Sequence, residues 1–347
     1  MKQNVYEDIA SGSSYTQGIK MEQRRIGKNG PFVSAIGLGC MGISMGYGPR
    51  NDAESINTIH KAIDLGVTLI DTADMYGWGH NEELIGKTIK SERKKLTLAT
   101  KMGFSRRING EVLDYFLDGS PKYIEEACNA SLKRLDVETI DLYYLHRVDP
   151  KTPIEDSIGA MADLVKAGKI RYIGISEVKP STIRRAMKVH PITAVQTEYS
   201  LWERYPENEI LPTCQELGIG FVAYSPLGRG FLTGTVVNTT KLSPEDFRHL
   251  LPRFQGDNFL ENQKLLIEFK KIAAENNCSM AQLALAWILA KNKNIIPIPG
   301  TKSVKHLEDN LGALNIHLTH DLNKLDSLFS VGITKGKKYP DDFECEG

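Results

Sequence analysis

The chain has 347 residues, with 43 Lys plus Arg balanced by 43 Asp plus Glu, so its formal charge is zero and its sequence pI is about 7.1. It lacks the basic stripe that marks a nucleic-acid partner, and no apolar run approaches the roughly 18 residues of a membrane-spanning helix. Five cysteines, Cys40, Cys128, Cys214, Cys278 and Cys345, form no CxxC pair, which fits a reducing compartment and a soluble, cytoplasmic protein.

Residues 1–20 are polar, rich in Ser and Gly, and lack the apolar core of a signal peptide; they read as a flexible extension ahead of a single domain over 21–347. Arg24 to Ile26 and Phe32 to Val33, joined by Lys-Asn-Gly-Pro, suggest a hairpin. From there, short apolar runs alternate with amphipathic stretches. Strands are expected over 35–38, 68–71, 96–100, 140–145, 170–175, 194–197, 220–223 and 295–298.

Helical spacing places Ile124, Cys128, Leu132 and Leu135 on one stripe and Ile154, Ile158, Met161 and Val165 on another. Ser120 before Pro121 reads as an N-cap followed by proline at the first helical position, and Thr152-Pro153-Ile-Glu155 as a second start with capping-box character. Further helices are expected over 52–65, 82–90, 180–188, 209–217, 262–276 and 304–311, with an additional one over 281–290. Residues 233–258 read as a long polar loop above the active face, a candidate for mobility.

Eight strand and helix cycles without an internal linker predict an α/β protein, a (β/α)8 TIM barrel with an N-terminal β-hairpin and extra helices. Gly37-Leu-Gly-Cys-Met-Gly42 matches the dinucleotide fingerprint GxGxxG in its letters. A true fingerprint opens directly into the helix that holds a pyrophosphate, whereas here Ile-Ser-Met-Gly-Tyr-Gly-Pro-Arg precedes the helix near Asp52. The segment is therefore expected to be a glycine-rich first loop beside which a ligand can lie.

In such a barrel the carboxyl ends of the strands converge on one face. Asp71, Tyr76, Lys101 and His146 all fall at or just beyond strand ends. Each alone would pass for an ordinary strand-end or core residue; the four together read as a catalytic group. Gly66-Val-Thr-Leu-Ile-Asp71-Thr-Ala-Asp-Met-Tyr76-Gly, Asn81-Glu-Glu-Leu-Ile-Gly86, the lysine after Leu-Thr-Leu-Ala-Thr100 and the histidine of Ile-Asp-Leu-Tyr-Tyr-Leu-His146 resemble the aldo-keto reductase superfamily. Asp118-Gly-Ser-Pro, Ser131-Leu-Lys-Arg-Leu and Ser225-Pro-Leu-Gly-Arg-Gly-Phe-Leu-Thr-Gly234 look most like its perakine reductase-like branch.

Carbonyl reduction needs a hydride donor and a proton donor, and a free tyrosine, with a pKa of about 10, holds its proton tightly. A lysine ammonium about 4 Å away is worth on the order of 4 kcal/mol at an effective dielectric near 20, so Lys101 is expected to lower the Tyr76 phenol by roughly three pKa units. Asp71 would keep Lys101 charged, His146 would hold the carbonyl oxygen, and Tyr76 would be the general acid.

Side chains do not carry hydride, so a nicotinamide, NADP(H), is implied. The resemblance places Ser176 and Gln196 at its carboxamide and Tyr224 beneath its ring. It assigns Ser225, Leu227, Gly228, Gly230 and Leu232 to the pyrophosphate, Lys302, Ser303 and His306 to the adenosine phosphate segment, and Asn310 to the adenine. Glu177 and His306 depart from the family pattern, which commonly has asparagine and arginine there. The leading expectation is an NADP-dependent reductase of small-molecule carbonyl compounds with no metal. The alternative is a cofactor-sensing regulatory subunit like the potassium-channel β-subunits. The eight histidines contain no HxH or HExxH pair for a metal hydrolase. Trp78 and Trp202 suggest an aromatic-lined pocket, and the sequence leaves a homo-oligomer open.

Overall fold

The computed structural model describes residues 20–109 and 112–340, so the expected extension, apart from Lys20, and Cys345 lie outside the described residues. A two-stranded hairpin, β1 (Gln23–Arg25) and β2 (Phe32–Ser34), precedes the barrel strands β3 (Leu38–Gly39), β4 (Leu69–Asp71) and β5 (Thr97–Met102). A second hairpin, β6 (Phe104–Asn109) and β7 (Val112–Leu117), follows β5. The remaining barrel strands are β8 (Ile140–Leu145), β9 (Ile170–Ser176), β10 (Ala194–Glu198), β11 (Gly220–Tyr224) and β12 (Ile295–Pro297).

The eight barrel strands are parallel and ordered β3-β4-β5-β8-β9-β10-β11-β12. The ring closes where Gly37 N donates to Pro297 O (3.0 Å), Gly39 N donates to Pro299 O (3.2 Å) and Gly39 bridges Gly300 in parallel register. A Cβ on Gly39 would lie 2.7 Å from Ile298 O, and one on Gly37 would lie 2.9 Å from the Ile298 side chain. The first two glycines of the apparent fingerprint therefore let the first and last strands approach, so they serve closure of the barrel. The motif opens only into a single helical turn, α1 (Met41–Ser44), before α2 (Asp52–Asp64).

Inside the barrel, Leu69, Ala99, Leu142, Tyr144, Ala194, Val222 and Ile296 form one apolar cluster with Ile26 and Val33 of the first hairpin. The hairpin thus stops one end of the barrel. Arg24 fastens it by donating to the carbonyls of Leu289, Asn292 and Ile295. The other apolar cluster fills the layer between the strands and the surrounding helices.

Those helices are α3 (His80–Thr88), α4 (Pro121–Leu135), α5 (Ile154–Lys166), α6 (Pro180–Val189), α7 (Ile210–Leu217), α8 (Gly256–Gln263), α9 (Leu265–Glu275), α10 (Met280–Lys291), α11 (Val304–Gly312) and α12 (Asp321–Leu328). Ser120 caps α4 by accepting from Tyr123 N, as expected. The Thr152 cap of α5 is not formed: Pro153 is the cap residue, and the threonine hydroxyl donates to Asp149 Oδ2 instead. The single helix expected over 262–276 is two, α8 and α9, meeting at Lys264. The stretch 233–258 contains several short 3-10 turns and buries Leu251, Arg253 and Phe254. No helix among the described residues is long and apolar enough to cross a membrane.

Candidate active site

Asp71 ends β4, Lys101 lies near the end of β5 and His146 directly follows β8, so their side chains meet at the carboxyl end of the barrel. Tyr76 joins them from the turn after β4. That turn is fixed by Thr72 N donating to Ala99 O, Asp74 N to Lys101 O and Tyr76 N to Ala73 O. Asn81 braces it from α3, accepting from Thr72 Oγ1 (2.6 Å) and donating to Cys40 O (2.9 Å). Glu82 beside it accepts from Thr100 Oγ1 and Arg134 Nε, each at 2.6 Å. Of the Asn-Glu pair in the sequence motif, Asn81 supports the tyrosine turn, while Glu82 ties α3 to β5 and α4.

Lys101 is fully buried, and its Nζ donates to Asp71 Oδ1 at 2.5 Å, to Thr72 O at 2.8 Å and to Tyr76 Oη at 3.2 Å. Gln196 Nε2 donates to the other Asp71 oxygen at 2.8 Å. The His146 ring stands edge-on to Tyr76, with centroids 6.0 Å apart, and edge-on to Phe104 at 5.0 Å. Asp71, Lys101, Tyr76 and His146 thus form one continuous group.

Burial disfavours charge on Lys101, but the Asp71 carboxylate and Tyr76 outweigh it and leave the ammonium above its ordinary value. Burial also dominates at Tyr76 and pushes the phenol above its usual value, against the downward pull of Lys101 and Arg147. This corrects the expectation of an unusually acidic phenol. The Tyr76 phenol therefore keeps its proton at pH 7, and the Lys101 ammonium only partly offsets the effect of burial. His146 is held well below its ordinary value by burial, then by Arg147 and Lys101, so its imidazole is neutral at pH 7.

The residues assigned to a cofactor lie around the same mouth. Ser176 is buried at the end of β9, where Arg147 Nη1 donates to its Oγ at 3.2 Å. Tyr224 ends β11, with its hydroxyl 2.9 Å from that of Tyr339. After it, Ser225, Gly228, Arg229 and Gly230 all have positive φ, and three amides bond within the sharply turned loop: Gly228 N donates to Ser225 O, while Gly230 N and Leu232 N both donate to Leu227 O. Leu232 itself is buried in the core. Lys302 Nζ donates to the carbonyls of Tyr47 and Pro49, Ser303 is the N-cap residue of α11 with no side-chain cap bond, His306 lies in the first turn and Asn310 is buried in the last. A lysine beside an uncapped helix N-terminus is suited to an anionic group.

Phe104 and Tyr339 were not singled out in the sequence, whereas Trp78 was expected at the pocket. Phe104 arrives on the β6 hairpin. Trp78 stacks on Tyr115 of β7 (5.4 Å) and beneath the Arg106 guanidinium (4.7 Å), forming an aromatic wall two residues beyond Tyr76. Trp202 is not part of this wall, being buried and stacked on Phe231 at 3.9 Å. Arg147 and Tyr339 link the histidine, serine and Tyr224 positions. Among the described residues, no cluster of His, Cys, Asp or Glu has the arrangement of a metal site.

A closed parallel barrel presenting a carboxylate, a buried ammonium, a phenol and a neutral imidazole at one mouth has the frame of a barrel oxidoreductase. Residues 35–328 match the model of the Aldo/keto reductase family. The chain is 45% identical over 319 residues to probable aldo-keto reductase 1 of Glycine max, covering 91% of each protein. It is 47% identical over 301 residues to aldo-keto reductase yakc [NADP(+)] of Schizosaccharomyces pombe, covering 85% of this chain and 87% of that one. Among solved structures, a glycerol dehydrogenase from Gluconobacter oxydans superposes with a TM-score of 0.81 at 31% identity, covering 93% of this chain and 99% of that one. An aldo-keto reductase from Bacillus halodurans gives 0.74 at 28% identity, covering 94% and 100%. The chain belongs to the aldo/keto reductase family.

Proposed function

We propose that the protein is an NADPH-dependent reductase of aldehydes or ketones in which Tyr76 is the general acid. The observation that carries this reading is the buried Tyr76 hydroxyl held 3.2 Å from the Lys101 ammonium, itself fixed by Asp71. When bound, the reduced nicotinamide supplies hydride to a carbonyl carbon. The protein's part is to hold the carbonyl oxygen between the neutral His146 ring and the phenol. Tyr76 gives its proton to that oxygen as negative charge grows on it, and Lys101 stabilises the phenolate. Asp71 keeps the ammonium charged and aimed, and Gln196 fixes Asp71.

Ser176, Gln196 and Tyr224 are assigned to the nicotinamide end, the 225–232 turn to the pyrophosphate, and Lys302, Ser303, His306 and Asn310 to the adenosine end. The cation at the start of α11 favours a nucleotide with a 2′-phosphate, in keeping with the NADP(+) in the name of the Schizosaccharomyces pombe relative. Steady-state oxidation of NADPH with a panel of aldehydes tests the proposal. Turnover at enzyme-like rates is expected; tight retention of NADPH with negligible turnover would instead identify a cofactor-sensing subunit.

A further inference from the structure

The segment after α12 runs from contacts with Trp202, Asn262 and Arg253 to the carboxyl ends of β9 and β11. Thr334 Oγ1 donates to Trp202 O, Lys335 exchanges backbone bonds with the Asn262 side chain, and Arg253 Nε donates to Gly336 O. Two side chains beyond this anchorage reach the site. Lys338 Nζ donates to Glu177 Oε2 at 2.6 Å, and the Tyr339 hydroxyl meets those of Tyr224 (2.9 Å) and the Arg147 guanidinium (3.5 Å). The Arg229 guanidinium lies over the Tyr339 ring at 4.8 Å and is itself paired with Glu198.

Glu177 is completely buried in a left-handed backbone conformation directly after Ser176, and its other carboxylate oxygen accepts from Glu198 N at 2.9 Å. Both oxygens are thus used to hold protein. At a position where a carboxamide contact would otherwise be sought, this chain has a charge whose partner is a lysine from the distant end of the fold. Burial opposes that charge, and Lys338 and Arg147 more than compensate, leaving the carboxyl below its ordinary range. Tyr339 meets Tyr224 hydroxyl to hydroxyl at 2.9 Å.

We propose that residues 334–339 form the outer wall of the nicotinamide site, and that the Glu177–Lys338 pair is the fastening that positions Tyr339 against Tyr224 and Arg147. This rests on the functional reading above and assigns positioning roles to Glu177, Lys338 and Tyr339, none of which takes part in proton or hydride transfer. A wall of this kind excludes water from the bound ring and slows its departure, so its loss acts on nucleotide affinity before it acts on chemistry.

The test uses the full chain and the variants Lys338→Met, Lys338→Arg and Glu177→Gln, with melting curves to establish folding. NADPH affinity is measured by fluorescence titration, release by stopped flow, and hydride transfer by single turnover at saturating nucleotide. Lys338→Met and Glu177→Gln should bind NADPH about tenfold more weakly, equivalent to about 1.4 kcal/mol, with faster release and nearly unchanged hydride transfer. Lys338→Arg should retain most of the affinity. Tryptic cleavage at Lys335 and Lys337 should be faster in Glu177→Gln without nucleotide, and NADPH should slow it in the wild type. Equal or tighter NADPH binding by the folded Lys338→Met and Glu177→Gln variants would overturn the proposal, as would NADPH accelerating cleavage by displacing the segment. A wild-type protein that binds no nicotinamide nucleotide would overturn the functional reading, while the cleavage comparison would still report on the fastening.

Discussion

Replacing Lys101 by methionine removes the buried cation while keeping most of the side chain's volume. At the observed 3.2 Å separation, a full charge pair at an effective dielectric near 20 is worth about 5 kcal/mol. Asp71, on the far side of the ammonium at 2.5 Å, cancels part of that field at the phenolate, and proton transfer is incomplete at the transition state. If about half remains, the loss is about 2–3 kcal/mol, or roughly 100-fold in the rate of reduction. Breaking a buried pair also leaves a stranded carboxylate, which costs about 3–5 kcal/mol of stability, so the double variant Lys101→Met with Asp71→Asn provides the folded control. Single-turnover oxidation of saturating NADPH by an aldehyde isolates the step. Reduction within about threefold of wild type in the folded double variant would refute the electrostatic role of Lys101, given the tenfold change expected from each 1.36 kcal/mol.

Three further outcomes follow from the same geometry. Gly39→Ala should lower the thermal midpoint, because its Cβ would meet Ile298 O at 2.7 Å and overpacking of this kind costs about 1–3 kcal/mol; an unchanged midpoint would count against the closure role of the glycine. Since burial and the neighbouring Arg147 and Lys101 lower the folded His146 value, the unfolded chain binds the proton more readily, and the stability contribution is present above the unfolded value of about 6.5 and lost as pH falls. Urea midpoints should therefore drop less on acidification in His146→Asn than in wild type, and equal drops would remove His146 as the cause. Lys302→Met should raise the KM for NADPH by about tenfold, a loss of about 1.4 kcal/mol, while leaving that for NADH nearly unchanged; equal effects on both would dissociate Lys302 from the 2′-phosphate.

The sequence disclosed most of the barrel because several of its strands are largely apolar and nearly all their residues are buried. For β8 the expected and observed limits coincide at Ile140–Leu145, and the other strands differ by a few residues at their ends. The β6–β7 hairpin escaped notice because Phe104-Ser-Arg-Arg-Ile-Asn has too many polar residues to read as a barrel strand, and its pairing depends on a partner in β7. The four catalytic candidates were legible from type and strand-end position together. The C-terminal contacts were not: Lys338 and Tyr339 sit in the polar run Gly-Lys-Lys-Tyr-Pro, and only the fold brings that run to Glu177 and Tyr224. The direction of the Tyr76 shift was missed for a related reason. Distance to a cation can be argued from chemistry alone, whereas the degree of burial, which dominates here, is a property of the folded packing.

The most direct measurement is made on Tyr76→Phe, which deletes one hydroxyl from a packed ring and leaves Lys101 paired with Asp71. Nucleotide titration and single-turnover reduction on the same preparation separate binding from proton donation. The account predicts near wild-type affinity for NADPH and no measurable carbonyl reduction. Reduction at an undiminished rate by the phenylalanine variant would contradict it.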